Sequence, residues 1–282
     1  MSVLTPLPIH ASADVLDALA ALGRCEDVTF APDGFRLALA DFGSDRIVVI
    51  DLHHPVTAAA PVEVSGFTSV HCAWLQKPHG VALLADDLAV VANRVLDVVA
   101  LRLPPRQVGV HRFDVDIAMR IGIGEVVRAL TPGSVVVSQV APDLVEVLVC
   151  NNYLDCVTRH MVDLRTMTSL GGEVLIDAVV NHPDGVAVST DRSLVAVSNR
   201  VPAGVLLYAN RPDLHSRSVP VGTLHGAVAA HGICFTPDDE FVLLADGARP
   251  FVYVYRRGEH GWSGDHHPIA TLQVMSDEAF AR

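Results

Sequence analysis

Residues 231–246 read HGICFTPDDEFVLLAD. An apolar run opens on His-Gly, breaks at Pro-Asp-Asp, then resumes and ends at Asp246. Pro and Asp favour turns, Asp because its carboxylate can accept nearby backbone amides, so two short apolar runs across such a break read as a β-hairpin. The layout occurs four more times upstream. EDVTFAPD (Glu26 to Asp33) is followed by LALAD ending at Asp41, HGVALLAD (His79 to Asp86) by VVAN ending at Asn93, VVSQVAPD (Val136 to Asp143) by VLVCN ending at Asn151, and DGVAVSTD (Asp184 to Asp191) by VAVSN ending at Asn199. Successive copies begin 53, 57, 48 and 47 residues apart, and the first residue of each lies 14 or 15 residues before its closing Asp or Asn.

Each copy continues into a third apolar strand: RIVVIDL, DVVALRL, CVTRHMVDL, GVLLYAN and FVYVYRR. A weaker fourth follows in APVEVSG, RQVGVHRF, SLGGEVLID, RSVPVGTL and PIATLQV. Four short strands recurring every ~40–50 residues are the mark of a propeller blade. The fold expected is therefore all-β, a β-propeller of four-stranded antiparallel blades with five repeats visible. It is read as one domain over residues 1–282, with blades starting near 26, 79, 136, 184 and 231. Six blades are the alternative. ASADVLDALAALG (residues 11–23) has the spacing of a short N-terminal helix with a Ser cap, and SDEAFAR (276–282) also reads as helical. IAMRIGIGEVVRAL (117–130) is either an insertion or a distorted outer strand.

Half of the residues are hydrophobic but only 5% aromatic, so small aliphatic side chains must build the core. No apolar run reaches the roughly 18–20 residues of a membrane-spanning helix. The first residues lack a basic segment ahead of an apolar one, and the expected location is cytoplasmic. Cys25, Cys72, Cys150, Cys156 and Cys234 show no C-x-x-C spacing and read as reduced. A formal net charge of −12 opposes nucleic acid and anionic membranes as partners. No G-x-S-x-G elbow, phosphate-binding G-x-x-x-x-G-K or H-E-x-x-H occurs, so no nucleotide cofactor is expected. Oligomeric state is left open.

The start of an inner strand lies beside the end of its antiparallel neighbour. This places Glu26, His79, Val136, Asp184 and His231 around the mouth of the propeller channel, with Ser138 or Gln139 replacing Val136 if the register slips. Asp41, Asn93, Asn151, Asn199 and Asp246 form a second ring that either contacts substrate or closes its own turns. Two carboxylates and two imidazoles converging on one channel would be relieved by a bound cation. Glu26, His79, Asp184 and His231 are thus the candidate catalytic and metal-binding residues for one divalent ion. Oxygen ligands favour Ca²⁺ or Mg²⁺, and two imidazoles shift the preference toward Zn²⁺, Mn²⁺ or Fe²⁺. His53-His54 and His266-His267 read as surface pairs. Trp74, Tyr153 and Trp262 are the aromatic residues able to stack on a ligand, with packing as the alternative for each.

The motifs PHGVALLAD, HPDGVAVSTD and HGICFTPDDEFVLLAD resemble those of NHL and YVTN-type propellers, and through them the gluconolactonase and regucalcin-like superfamily. The resemblance covers most of Asp27 to Val274. It implies a divalent cation held by a Glu, an Asn and an Asp of inner strands; Glu26 and Asp184 match the Glu and Asp by position. Asp27 stands where that group has Gly, and His79 or His231 where it has Asn. The His-Gly starts are also similar to those of the peptidyl-hydroxyglycine amidating lyase, which is secreted, disulfide-bonded and binds zinc through histidines. The function expected is that of a channel-mouth enzyme acting on a small metabolite, a lactone hydrolase or a lyase. The alternative is a non-catalytic propeller that binds a protein or ligand.

Overall fold

The computed structural model describes residues 2–3 by backbone alone, and 8–53, 60–95, 97–122 and 129–281 in full. Five sheets form among them, one for each copy of the repeat. By compactness the chain divides into two units, one of Pro6–Val147 with His160–Gly172, the other of Met1–Thr5, Leu148–Arg159 and Glu173–Arg282.

Ahead of the first blade lie β1 (Ser2–Val3), β2 (Ile9–His10) and helix α1 (Ala13–Ala20). Blade 1 comprises β3 (Cys25–Phe30), β4 (Arg36–Asp41), β5 (Arg46–His53) and β6 (Val62–His71). Blade 2 starts with β7 (Pro78–Ala85), β8 (Leu88–Asn93) and β9 (Val98–Arg102). The next strand, β10 (Gly109–Asp114), belongs to RQVGVHRF, which the sequence reading gives to blade 2. It runs instead parallel to β6 and extends blade 1. The fourth strand of blade 2 is β11 (Ile117–Ile121), so IAMRI is an outer strand and no insertion. Residues 123–128 of that stretch, and His54, lie outside the described residues.

Blade 3 comprises β12 (Pro132–Ala141), β13 (Leu144–Asn151), β14 (Cys156–Asp163) and β15 (Thr168–Ile176). Blade 4 comprises β16 (Val186–Val188), β17 (Leu194–Arg200), β18 (Ala203–Ala209) and β19 (Gly222–Leu224). Blade 5 has β20 (Ala230–Phe235), β21 (Phe241–Asp246) and β22 (Phe251–Arg256); then β23 (Gly264–His266) leaves to run parallel to β19, and β24 (Ala270–Gln273) completes the blade. β1 pairs in parallel with β24, and α2 (Asp277–Phe280) follows, its first turn capped by the Ser276 hydroxyl. The chain is an all-β, five-bladed β-propeller of four-stranded antiparallel blades with a short N-terminal helix. Its parallel edge strands give backbone groups of outer edges a partner.

Strands β8 and β9 are buried almost throughout, which explains why they read as unbroken LAVVAN and VVALR rather than as alternating sequences. Ala38, Ala40, Ile47 and Val49 of blade 1 pack on Val81, Val91, Val99 and Leu101 of blade 2. Val205, Leu207 and Leu224 of blade 4 meet Val242, Leu244 and Tyr255 of blade 5. α1 inserts Val15 among Val48, Ile50, Val64 and Phe67. All five cysteines are free, and burial pushes the Cys156 thiol up to about 11. No helix among the described residues is long and apolar enough to cross a membrane.

Candidate functional site

Glu26, His79 and His231 each stand second in their inner strands β3, β7 and β20, and each coincides with a slip in the pairing to the next strand. Cys25 and Asp27 pair with Asp41 and Ala40, Pro78 and Gly80 with Asn93 and Ala92, and Ala230 and Ile233 with Asp246 and Leu244. Glu26 and His79 are each the single residue skipped and His231 is skipped together with Gly232, so all three belong to bulges that re-aim them relative to the regular alternation, as is common beside functional sites. Asp184 lies just ahead of β16. The third blade departs from the expected register, for β12 begins at Pro132 and Val136 is in its interior. Gln139 bonds the Pro142 carbonyl within its own hairpin.

In the unit that holds blades 1 and 2, Glu26 and His79 come together, Oε2 and Nε2 lying 3.7 Å apart. His79 Nδ1 is 2.7 Å from the Gly133 carbonyl oxygen, which can only accept, so Nδ1 carries a proton. Nε2 then accepts from Arg94 Nη2 at 2.7 Å, giving the neutral tautomer. Glu26 is paired through Oε1 with Arg24 Nε. The Arg24 guanidinium and the Lys77 ammonium both lie over the Phe42 ring, and Phe42 meets His79 edge-on. This corner of an acidic protein thus gathers three cationic side chains. A dication at the Glu26–His79 pair would compete with Arg94 for the imidazole lone pair and with Arg24 for the carboxylate.

Asp27 adjoins the pair. Its carboxylate accepts Val28 N at 2.8 Å and, from the next blade, Val81 N at 2.9 Å. Desolvation nevertheless pushes its pKa up to about 7, with Glu26 adding to the rise and the two amides opposing it. Between pH 4 and 7 the folded protein therefore retains a proton that the unfolded chain releases, and stability falls as pH rises across that window. Asp27→Asn should flatten the melting temperature against pH there; an unchanged slope would assign the carboxyl an ordinary pKa.

In the other unit, Asp184 and His231 form a second acid–imidazole pair, Oδ2 to Nε2 3.3 Å. Asp184 is buried and its Oδ1 accepts from the Asn152 amide, whereas the His231 side chain is 29% exposed. Ser198 fixes the backbone here, its Oγ accepting Gly185 N at 2.6 Å and its N donating to the Gly185 carbonyl at 2.9 Å. A Cβ on Gly185 would lie 2.3 Å from the His231 carbonyl oxygen, and one on Gly80 would lie 2.8 Å from the Gly133 oxygen. Glycine follows His79 and Asp184 because the neighbouring blade's inner strand passes at those two points; in blade 1, Asp27 spans the distance to Val81 instead. Arg24, Arg94 and Asn152 are the site groups that sequence reasoning missed. The signal for Arg94 was its place directly after the Asn93 landmark.

The second-ring residues are buried and bonded within their own turns. Asn93 accepts Gln76 N and donates to the Asp97 carbonyl; Asn199 accepts Asn181 N and donates to the Pro202 carbonyl. Asn151 donates to the Val149 carbonyl and Thr158 Oγ1. Asp41 pairs with Arg46, while Asp246 accepts the amides of Val228, Ala229 and Ala248. Replacing Asn93 or Asn199 by Ala should therefore cost about 1–3 kcal/mol in urea unfolding, the penalty of a buried amide and carbonyl left without partners. A variant of parent stability would mean that the side chain is not needed to close its turn.

No protein-family model matches the chain, and no curated protein is similar to it. Solved structures do resemble it. A candidate 6-phosphogluconolactonase from Bacteroides fragilis is 11% identical with a TM-score of 0.53, over 88% of this chain and 69% of that one. Another from Bacteroides uniformis is 13% identical with a TM-score of 0.54, over 86% and 71%. The Dos1 propeller is 12% identical with a TM-score of 0.50, over 89% and 59%. At such identities the likeness is one of fold.

Proposed function

We propose that the protein is a hydrolase of small metabolites, lactonase-like, in which His231 is the general base and Asp184 its partner. The observation that carries this reading is the Asp184–His231 pair, a buried carboxylate steered by Asn152 and facing one nitrogen of a partly exposed imidazole. With Nε2 turned to Asp184, His231 exchanges protons through Nδ1. It takes a proton from water as the water oxygen attacks the lactone carbonyl, and Asp184 steadies the imidazolium that forms. The ring C–O bond then breaks, the proton passes to the departing oxygen, and a hydroxy acid results. Glu26 and His79 hold Arg24 and Arg94 in place rather than move protons. The candidate lactonases of similar fold support the substrate class, and the superfamily resemblance of the motifs is part of the same proposal.

Two other readings each have an observation in their favour. Asp184 Oδ2 and His231 Nε2 are a carboxylate and an imidazole of the kind that Zn²⁺, Mn²⁺ or Fe²⁺ accepts. Such an ion would polarise the carbonyl and acidify water. A non-catalytic ligand- or protein-binding propeller is favoured by Val28 and Phe30, both exposed on one face of β3. The test is turnover of a panel of neutral and phosphorylated lactones, with and without chelator. Chelator-resistant hydrolysis supports the base mechanism, and activity restored only by a metal transfers the site to the second reading. Turnover of no lactone would leave the binding propeller.

A further inference from the structure

We infer that the unit holding blades 4 and 5 carries a separate small-molecule site for an oxyanion, the phosphate or carboxylate of a small metabolite, at the strand ends remote from Asp184 and His231. Asp184, Asn199 and His231 sit at one end of the strands of these blades; the turn after β16, the ends of β18 and β22 and the turn after β20 lie at the other. A cavity of about 320 Å³ opens there, the size of a small-ligand pocket. Leu194, Ala209, Val221 and Trp262 supply its apolar lining. Trp262 is buried and fixed by its indole N–H to the Asp239 carbonyl at 3.2 Å and by edge-on contact with Phe235.

The polar groups of the cavity divide unequally between satisfied acceptors and waiting donors. Asp239 accepts Thr190 N and Asp191 N, one on each oxygen, at 2.8 and 2.9 Å. Asp191 accepts Ser193 N and the Ser189 hydroxyl at 2.8 and 2.7 Å. Hydrogen bonds from Ser193 and Ser189, with Arg257 nearby, hold its carboxyl below the usual range. Both carboxylates are thus committed to the turns. The Arg211 side chain, by contrast, is exposed and its guanidinium has no hydrogen-bond or ion-pair partner among the described residues, where the Arg257 guanidinium reaches only Glu240, at 3.9 Å. Two guanidinium groups over an apolar floor match a planar or tetrahedral oxyanion joined to a small organic body.

The experiment uses the full chain carrying Trp74→Phe, which leaves Trp262 as the sole indole reporter. Its emission and, in parallel, the heat of binding are followed on addition of glycerol 3-phosphate, inorganic phosphate, acetate or glycerol. Saturable binding of phosphate compounds or of acetate, with none of glycerol, is expected, and the arm that responds identifies phosphate or carboxylate as the source. Arg211→Gln and Arg257→Gln, both at exposed positions, should each weaken it at least tenfold, whereas His231→Gln should leave it unchanged. The inference is overturned if glycerol binds as well as glycerol 3-phosphate, if no probe binds by either readout, or if both arginine variants keep parent affinity. Loss in His231→Gln alone would move the anion to the reaction site and also overturn it.

Discussion

His231→Gln is expected to lower kcat/KM for a hydrolysed lactone by about 10²- to 10⁴-fold, the usual contribution of a positioned general base. Gln keeps a polar side chain of similar length but cannot take a proton, so the loss isolates proton transfer from packing. The melting temperature should stay close to the parent's, since the His231 side chain is only partly buried. Asp184→Asn should reduce kcat more than it raises KM, because Asp184 reaches the substrate only through the imidazole, and a neutral amide cannot offset an imidazolium. Gly185→Ala is the third arm. The new methyl group would meet the His231 carbonyl oxygen and displace the base without touching its chemistry. Parent-like turnover by His231→Gln would remove the dyad from the mechanism, whatever the other two variants do.

The blades were legible because each hairpin carries its own turn chemistry and closing residue within a short stretch, and such local signals repeat. The parallel strands were not. β10 and RQVGVHRF look like any fourth strand, and only pairing with a blade already completed reveals where the segment goes. The register of β12 escaped for a related reason: a strand lengthened at its start shifts the landmark count without changing the Pro-Asp turn at its end. Among site residues, Glu26, His79, Asp184 and His231 stood out because a titratable side chain at a strand start is unusual. Their pairing as two acid–imidazole couples was invisible, since the couples are made by residues 53 and 47 positions apart. Arg24 and Arg94 were missed because a basic residue beside a strand end ordinarily reads as surface charge. Here each sits on a donor atom that a cation would need, which changes what the Glu26–His79 corner can bind.

Arg36→Leu is expected to destabilise the protein by about 3–5 kcal/mol, the cost of breaking one partner out of a buried ion pair. Arg36 and Asp51 are 1% and 2% exposed, on the neighbouring strands β4 and β5. Arg36 Nε and Nη2 donate to the two Asp51 oxygens at 2.7 and 3.1 Å, while Nη1 donates to the carbonyls of Asp86 and Pro104 at 2.7 and 3.0 Å. Asp51 also accepts Gln107 N at 3.0 Å. One guanidinium therefore ties blade 1 to the hairpin turn of blade 2 and to the segment that leads into β10. With Leu at 36, the Asp51 carboxylate stays buried with a single amide partner, and two carbonyl groups lose their donor. Asp51→Leu alone should be comparably damaging, because it strands the guanidinium. In the double variant neither charge remains, so the combined loss should be smaller than the sum of the two single losses, leaving mainly the cost of the orphaned carbonyls and Gln107 amide. Urea unfolding of the three variants measures the coupling directly. Additive single losses, or a loss below about 1 kcal/mol for Arg36→Leu, would show that these charges are not a buried pair in solution, since the removal of one partner would then leave nothing uncompensated.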